Sequence, residues 1–143
     1  MRALPLLAAL LLSVPCAQAA NWFGLDALSA ASGLAIDVDT DTLRQEGARR
    51  EIRVRVTYPE PRLHRWGASF RSVLATVEFD CEGRLAGYRD AVFFSEARGQ
   101  GLVAVREDGP LTPIPGRTSD LLPARSLEVM ARAACSRPTP ATR

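Results

Sequence analysis

Residues 69–90 read SFRSVLATVEFDCEGRLAGYRD, and their patterning decides the fold. Val73, Ala75, Val77, Phe79 and Cys81 alternate with Leu74, Thr76, Glu78 and Asp80, the two-residue period of a strand buried on one face. Glu82-Gly83 is a turn signal, and Leu85 to Phe94 runs back as the second arm of a hairpin. Cys81 shares the apolar side of its strand, which predicts a sulfur directed into the core at the corner of the hairpin.

Working toward the N-terminus, Glu51 to Tyr58 is the next strand, with Ile52, Val54, Val56 and Tyr58 on one face. Glu51, Arg53, Arg55 and Thr57 occupy the other, the one-dry, one-wet arrangement that an antiparallel sheet permits. Pro59-Glu-Pro61 is expected to end this strand, because proline cannot donate to a ladder. Arg62 to Gly67 then reads as a loop. Asp39 to Gly47 is polar and reads as a loop or one helical turn, after a short strand at Leu34 to Val38. Trp22, Phe23 and Leu25 carry enough apolar area to dock the N-terminus.

Toward the C-terminus, Gly99-Gln-Gly101 marks a turn and Leu102 to Arg106 a further strand. Asp108-Gly109-Pro110 is expected to break it, leaving Thr112 to Gly116 as an extended connector. Pro123 suits a first helical turn. Leu127, Met130, Ala131 and Ala134 then recur at helical spacing to form one apolar stripe, with Cys135 beside its end. The predicted class is α+β: a single antiparallel sheet of about five or six strands, with a C-terminal helix packed on one face and tied there by a disulfide.

The chain has 143 residues, the size of one domain. Arg2, the apolar run Leu4 to Val14 and Ala17-Gln18-Ala19 have the plan of a cleaved signal peptide over residues 1–19. The mature domain would run from 20 to 135, with residues 136–143 a disordered tail. Cys16 raises the alternative of a lipid anchor, but Pro15 stands where lipidation needs a small residue. Cys81 and Cys135 remain, 54 positions apart. In the oxidising compartment that export implies, two remaining cysteines usually pair. A loop of that length restricts the unfolded chain by about 4 kcal/mol in the entropy model. Export puts the protein in the periplasm, on the outer membrane, or outside the cell.

All 18 basic residues are arginine, and the whole chain carries a formal charge of +2. Arg44 to Arg71 holds eight arginines and three acids, while Ser72 to Asp120 holds five and eight. That asymmetry marks a candidate partner surface at Arg53, Arg55, Arg62, His64, Arg65 and Trp66, since arginine and tryptophan are enriched at binding hot spots. The plainer alternative for Arg53 and Arg55 is a solvated strand face. The imbalance is too mild to imply nucleic acid. His64 is the only histidine, and no nucleophile motif surrounds it, so a solvated loop histidine is expected. Asp37, Asp39 and Asp41 form D-x-D-x-D, but Thr42 and Ala48 stand where a calcium loop needs glycine and glutamate. No phosphate loop, zinc spacing or nucleotide fingerprint is found, so no cofactor or metal is expected.

Several short features resemble the surface-adhesin protein E family of Gram-negative envelope proteins. They are Ile36-Asp37 with a polar turn and Gly47, Ser72, the block Glu78-Phe-Asp80-Cys81, Arg84 and the aromatic return strand. Gly99-x-Gly101, the proline-containing connector and a closing helix ending at Cys135 complete the set. The resemblance implies non-enzymatic adhesion by binding host extracellular-matrix or serum proteins, often as a homodimer. It transfers no binding residue, because the matched positions build the fold. The alternatives are a periplasmic interaction module with no host role and, less favoured, a periplasmic enzyme.

Overall fold

The computed structural model describes residues 20–114 and 121–136. The expected signal peptide, Cys16 and all of the expected tail beyond Ser136 lie outside the described residues, as do Pro115 to Asp120 of the connector. Six strands form one antiparallel sheet in sequence order: β1 (Trp22–Gly24), β2 (Ala35–Glu46), β3 (Arg49–Leu63), β4 (Ser69–Asp80), β5 (Leu85–Phe94) and β6 (Val103–Pro113). A short helix, α1 (Asp26–Ser32), links β1 to β2, and α2 (Ala124–Cys135) closes the chain. The expected fold class is therefore observed, with six strands.

The central hairpin forms as its alternation dictates. Val73, Ala75, Val77 and Phe79 are buried on the inner face, opposite Val56, Val54, Ile52 and Arg50 of β3. Asp80 Oδ1 accepts from the backbone N–H groups of Glu82 and Gly83, which satisfies the tight turn. The stripe of α2 packs on the same inner face, with Leu127, Met130 and Ala131 buried. Burying the Leu127 and Met130 side chains contributes about 1.5–3 kcal/mol each. Tyr58 Oη donates to the Leu121 carbonyl at 2.9 Å, fixing the start of the helical segment near one end of the sheet. Cys81 and Cys135 are bonded, fixing the other end of α2 beside the β4–β5 turn.

Three expected breaks are absent, for one shared reason. Strands here run on through bulges. Asp39 to Gly47 is mostly strand: β2 pairs with β3 at Asp39↔Arg53 and resumes at Arg44↔Glu51. Four residues of β2 thus face the single Ile52. Thr42 Oγ1 supports this bulge by donating to the Asp39 carbonyl and accepting from Arg53 N–H.

Pro59 and Pro61 do not end β3. Pairing stops at Thr57↔Ser72 and resumes at Arg62↔Phe70, so both prolines fall in the unpaired bulge, where a missing N–H breaks no ladder bond. Gly109 and Pro110 do not end β6, which continues as an edge strand to Pro113, where proline is tolerated. Thr112 and Pro113 therefore belong to the sheet rather than to a connector. At the N-terminus Leu25 packs on the core, but Phe23 is exposed, and α1 was not foreseen.

Candidate functional site

The β3–β4 hairpin tip is built by the proline-containing bulge. Beyond it, Leu63 pairs with Ser69, and His64 exchanges backbone bonds with Ala68 and Gly67 to close a tight turn. The bend carries His64 over the inner face toward strands it does not pair with. Its ring lies 4.9 Å from Phe93 on β5 and 6.2 Å from Phe70, edge-on to both. His64 is thus buried, which corrects the expectation of a solvated loop histidine. The physical cause is the bulge: a flat hairpin would have projected the tip into water.

Glu107 is the residue that receives this tip. It pairs opposite Ala91 on the inner face of β6, and its side chain is only 8% exposed. A buried carboxylate is costly unless it is paired and hydrogen-bonded. Here Arg65 Nη2 donates to Oε2 at 2.6 Å and Tyr88 Oη donates to Oε1 at 3.0 Å. His64 Nε2 stands 3.4 Å from Oε1. On its other side, His64 Nδ1 accepts from Trp66 N–H at 3.3 Å. Tyr88 reaches Glu107 because it lies against a glycine; a Cβ on Gly109 would come within 2.2 Å of its ring.

These groups border a cleft of about 320 Å³, with Phe70, Phe93 and Leu121 supplying apolar walls. Arg62 lies at its rim, 5.0 Å above the Tyr58 ring. Leu63 and Trp66 project outward, 73% and 64% exposed, and Arg65 stacks on the Trp66 ring at 4.9 Å. The arrangement offers an apolar pair flanked by two guanidinium groups on a turn held firmly from beneath.

The six residues singled out from sequence fall into two groups on opposite faces of the sheet. Arg62, His64, Arg65 and Trp66 gather at the tip on the inner side. Arg53 and Arg55 lie on the outer face, where Arg55 pairs with Asp37 at 2.8 Å and covers the Trp22 ring. Arg53 is exposed beside a shallow depression with Thr42, Arg44 and Arg89. In the D-x-D-x-D run, Asp37 serves Arg55 and Asp39 Oδ1 accepts from Asp41 N–H. Glu107 was missed. Its signal was present in the sequence: continuing the alternation Val103, Val105 by one step places an acid on the core-facing side of β6.

A six-stranded antiparallel meander with a disulfide-tied helix on its inner face defines a small α+β domain. Residues 22–136 match the family described as Surface-adhesin protein E, and the chain belongs to that family. Membership makes it an adhesin-type protein of the cell envelope. Among solved structures it is similar to protein E of Haemophilus influenzae. Crystal form II is 17% identical, with 71% of this chain and 83% of that chain covered and a TM-score of 0.46. A second structure of that protein is 13% identical over 73% and 82%, also with a TM-score of 0.46. The selenomethionine form is 18% identical over 68% and 78%, with a TM-score of 0.42. No curated protein matches the chain.

Proposed function

We propose that this protein is a non-enzymatic adhesin of the bacterial surface that binds a host extracellular-matrix or serum protein through the β3–β4 hairpin tip. The observation that carries the reading is the exposure of Trp66 and Leu63 beside Arg62 and Arg65 on a turn anchored to a buried carboxylate. Tryptophan and arginine are frequent hot-spot anchors, and a prearranged turn loses little freedom on binding. The cleft of about 320 Å³ beneath the tip accepts a side chain of the partner. Its arginine rim favours an acidic partner surface. Arg53 and Arg55 take no part, because they face the other way and Arg55 is already paired.

The test is binding of the purified mature domain to surfaces coated with basement-membrane extract or with serum proteins. Binding is expected, weakening as salt is raised, since exposed charges are screened over about 10 Å at 0.1 M. Arg62→Glu with Trp66→Ala should reduce it at least about tenfold, the effect of losing one modest hot spot. Arg53→Glu should leave it unchanged. Equal binding by the tip variant would refute the assigned surface, and no binding to either coating would refute the host-adhesion reading. Surface protease treatment of native cells locates the protein: loss of the intact band supports surface display, and full protection supports the periplasmic alternative.

A further inference from the structure

We propose that the hairpin tip is acid-sensitive: protonation of His64 at Nδ1 releases the Trp66 turn and weakens docking there. The inference concerns regulation of the surface named above and rests on that reading for its binding consequence. The argument is one of proton placement. Trp66 N–H donates to Nδ1 at 3.3 Å, so Nδ1 must present a lone pair. The single proton of the neutral ring is then on Nε2, the atom 3.4 Å from Glu107 Oε1. A second proton has only Nδ1 to occupy, where it would confront an N–H donor. One hydrogen bond is lost and two donors face each other.

The opposite side of the ring responds in the other sense. A charged imidazole is drawn more strongly to Glu107. Acid therefore pulls His64 onto β6 while letting go of Trp66. Among the described residues, the charged and titratable groups around the ring are Glu107 on β6, Tyr88 on β5, and Arg62 and Arg65 of the hairpin itself. Tyr58 on β3 lies behind Arg62. Phe70, Phe93 and Leu121 carry no charge. Histidine is the one side-chain type whose ordinary charge change falls between pH 5 and 8. The backbone bonds from His64 N to Ala68 O and from Gly67 N to His64 O do not involve the ring. The hairpin thus persists while the residue at its apex, which carries the exposed indole, is freed.

The experiment uses the isolated mature domain. Imidazole nitrogen NMR at pH 8 should show His64 neutral with its proton on Nε2. His64 is the only histidine, so the signal needs no assignment. As the ring titrates, protection of the Trp66 backbone amide should fall about fivefold relative to His64→Asn at the same pH, the ratio expected for one hydrogen bond. Asparagine can accept from the N–H two residues on and does not titrate. A proton on Nδ1 at pH 8, or Trp66 protection that follows the Asn variant throughout, would overturn the switch. These readings need no partner, so they stand or fall apart from the adhesion proposal. On basement-membrane extract, the wild type should lose affinity from pH 7.5 to 5.5 more than His64→Asn does. Equal losses would overturn the link to docking.

Discussion

At one end of the sheet the β4–β5 turn is joined to the last residue of α2 by a covalent bond. At the other end the β3–β4 tip is held to β6 by one carboxylate shared among Arg65, Tyr88 and His64. Both closures bring together segments that are not neighbours in the sheet. They differ in what competes with them. Solvent, salt and protons leave a disulfide untouched, whereas each can intrude on a polar cluster beside an open cleft. The exposed tryptophan, leucine and arginines sit at the polar end. The comparison teaches that the covalent end fixes where α2 lies on the sheet and the polar end sets the presentation of a surface.

The largest expected effect tests the covalent end. Replacing both Cys81 and Cys135 with alanine frees a loop of 54 positions, worth about 4 kcal/mol by chain entropy. Denaturant melts of the variant against the oxidised wild type should show a loss of a few kcal/mol. Hydrogen exchange should show α2 fraying from Cys135 backward while the β3–β4 and β4–β5 ladders remain protected, because those strands pair by local hairpins. A tip that loosened as much as α2 would break the comparison, since the two ends would then form one unit.

The middle effect tests the polar end. Glu107→Ala removes the acceptor that Arg65 and Tyr88 share, and takes away the carboxylate beside His64 Nε2. Arg65 is 60% exposed and can turn to water, so the cost falls mainly on the buried groups. A loss of about 1–3 kcal/mol is expected, in the range for buried polar groups left without their partner. Melts measure it, and chemical shifts should report changes confined to residues 62–70, the part of β6 around position 107 and the facing part of β5. Perturbation at the Cys81–Cys135 end would show that the closures communicate.

Periodicity made the frame legible. Alternation identifies β4 and the middle of β3, the turn signal at Glu82-Gly83 identifies β5 as the return arm, the helical stripe identifies α2, and the cysteines identify the tie. The bulges were not legible, because period-2 reading assumes one residue opposite one residue. At Thr40 to Leu43 and at Tyr58 to Pro61 four residues oppose one, and polar residues or prolines were read there as strand ends. The bulges conceal the burial of His64 and its proximity to Glu107. Without the second bulge, His64 belongs to a solvated loop. Without the continuation of β6, the core-facing parity of Glu107 has no meaning. Tertiary crossing from β3 to β6 leaves no local trace in sequence. The arginine-rich segment did point to the tip, but it could not separate Arg62 and Arg65 from Arg53 and Arg55 on the opposite face.

The smallest expected effect separates folding from function at the tip. Trp66 lies at the apex, 64% exposed, and its indole touches the His64 ring edge and the Arg65 guanidinium. An exposed cation–π contact contributes roughly 0.5–1 kcal/mol. The burial lost on truncation is modest, since most of the ring already meets water. Trp66→Ala should therefore cost no more than about 1 kcal/mol in a denaturant melt, less than either change above. The backbone N–H of residue 66 survives the substitution, so its bond to His64 Nδ1 should persist, and amide exchange at that position should stay near the wild-type value. A loss as large as that of Glu107→Ala would mean that the indole itself helps close the polar end. In that event Trp66 would belong to the anchor, and the exposed Leu63 and Arg62 would be left as the surface offered to a partner.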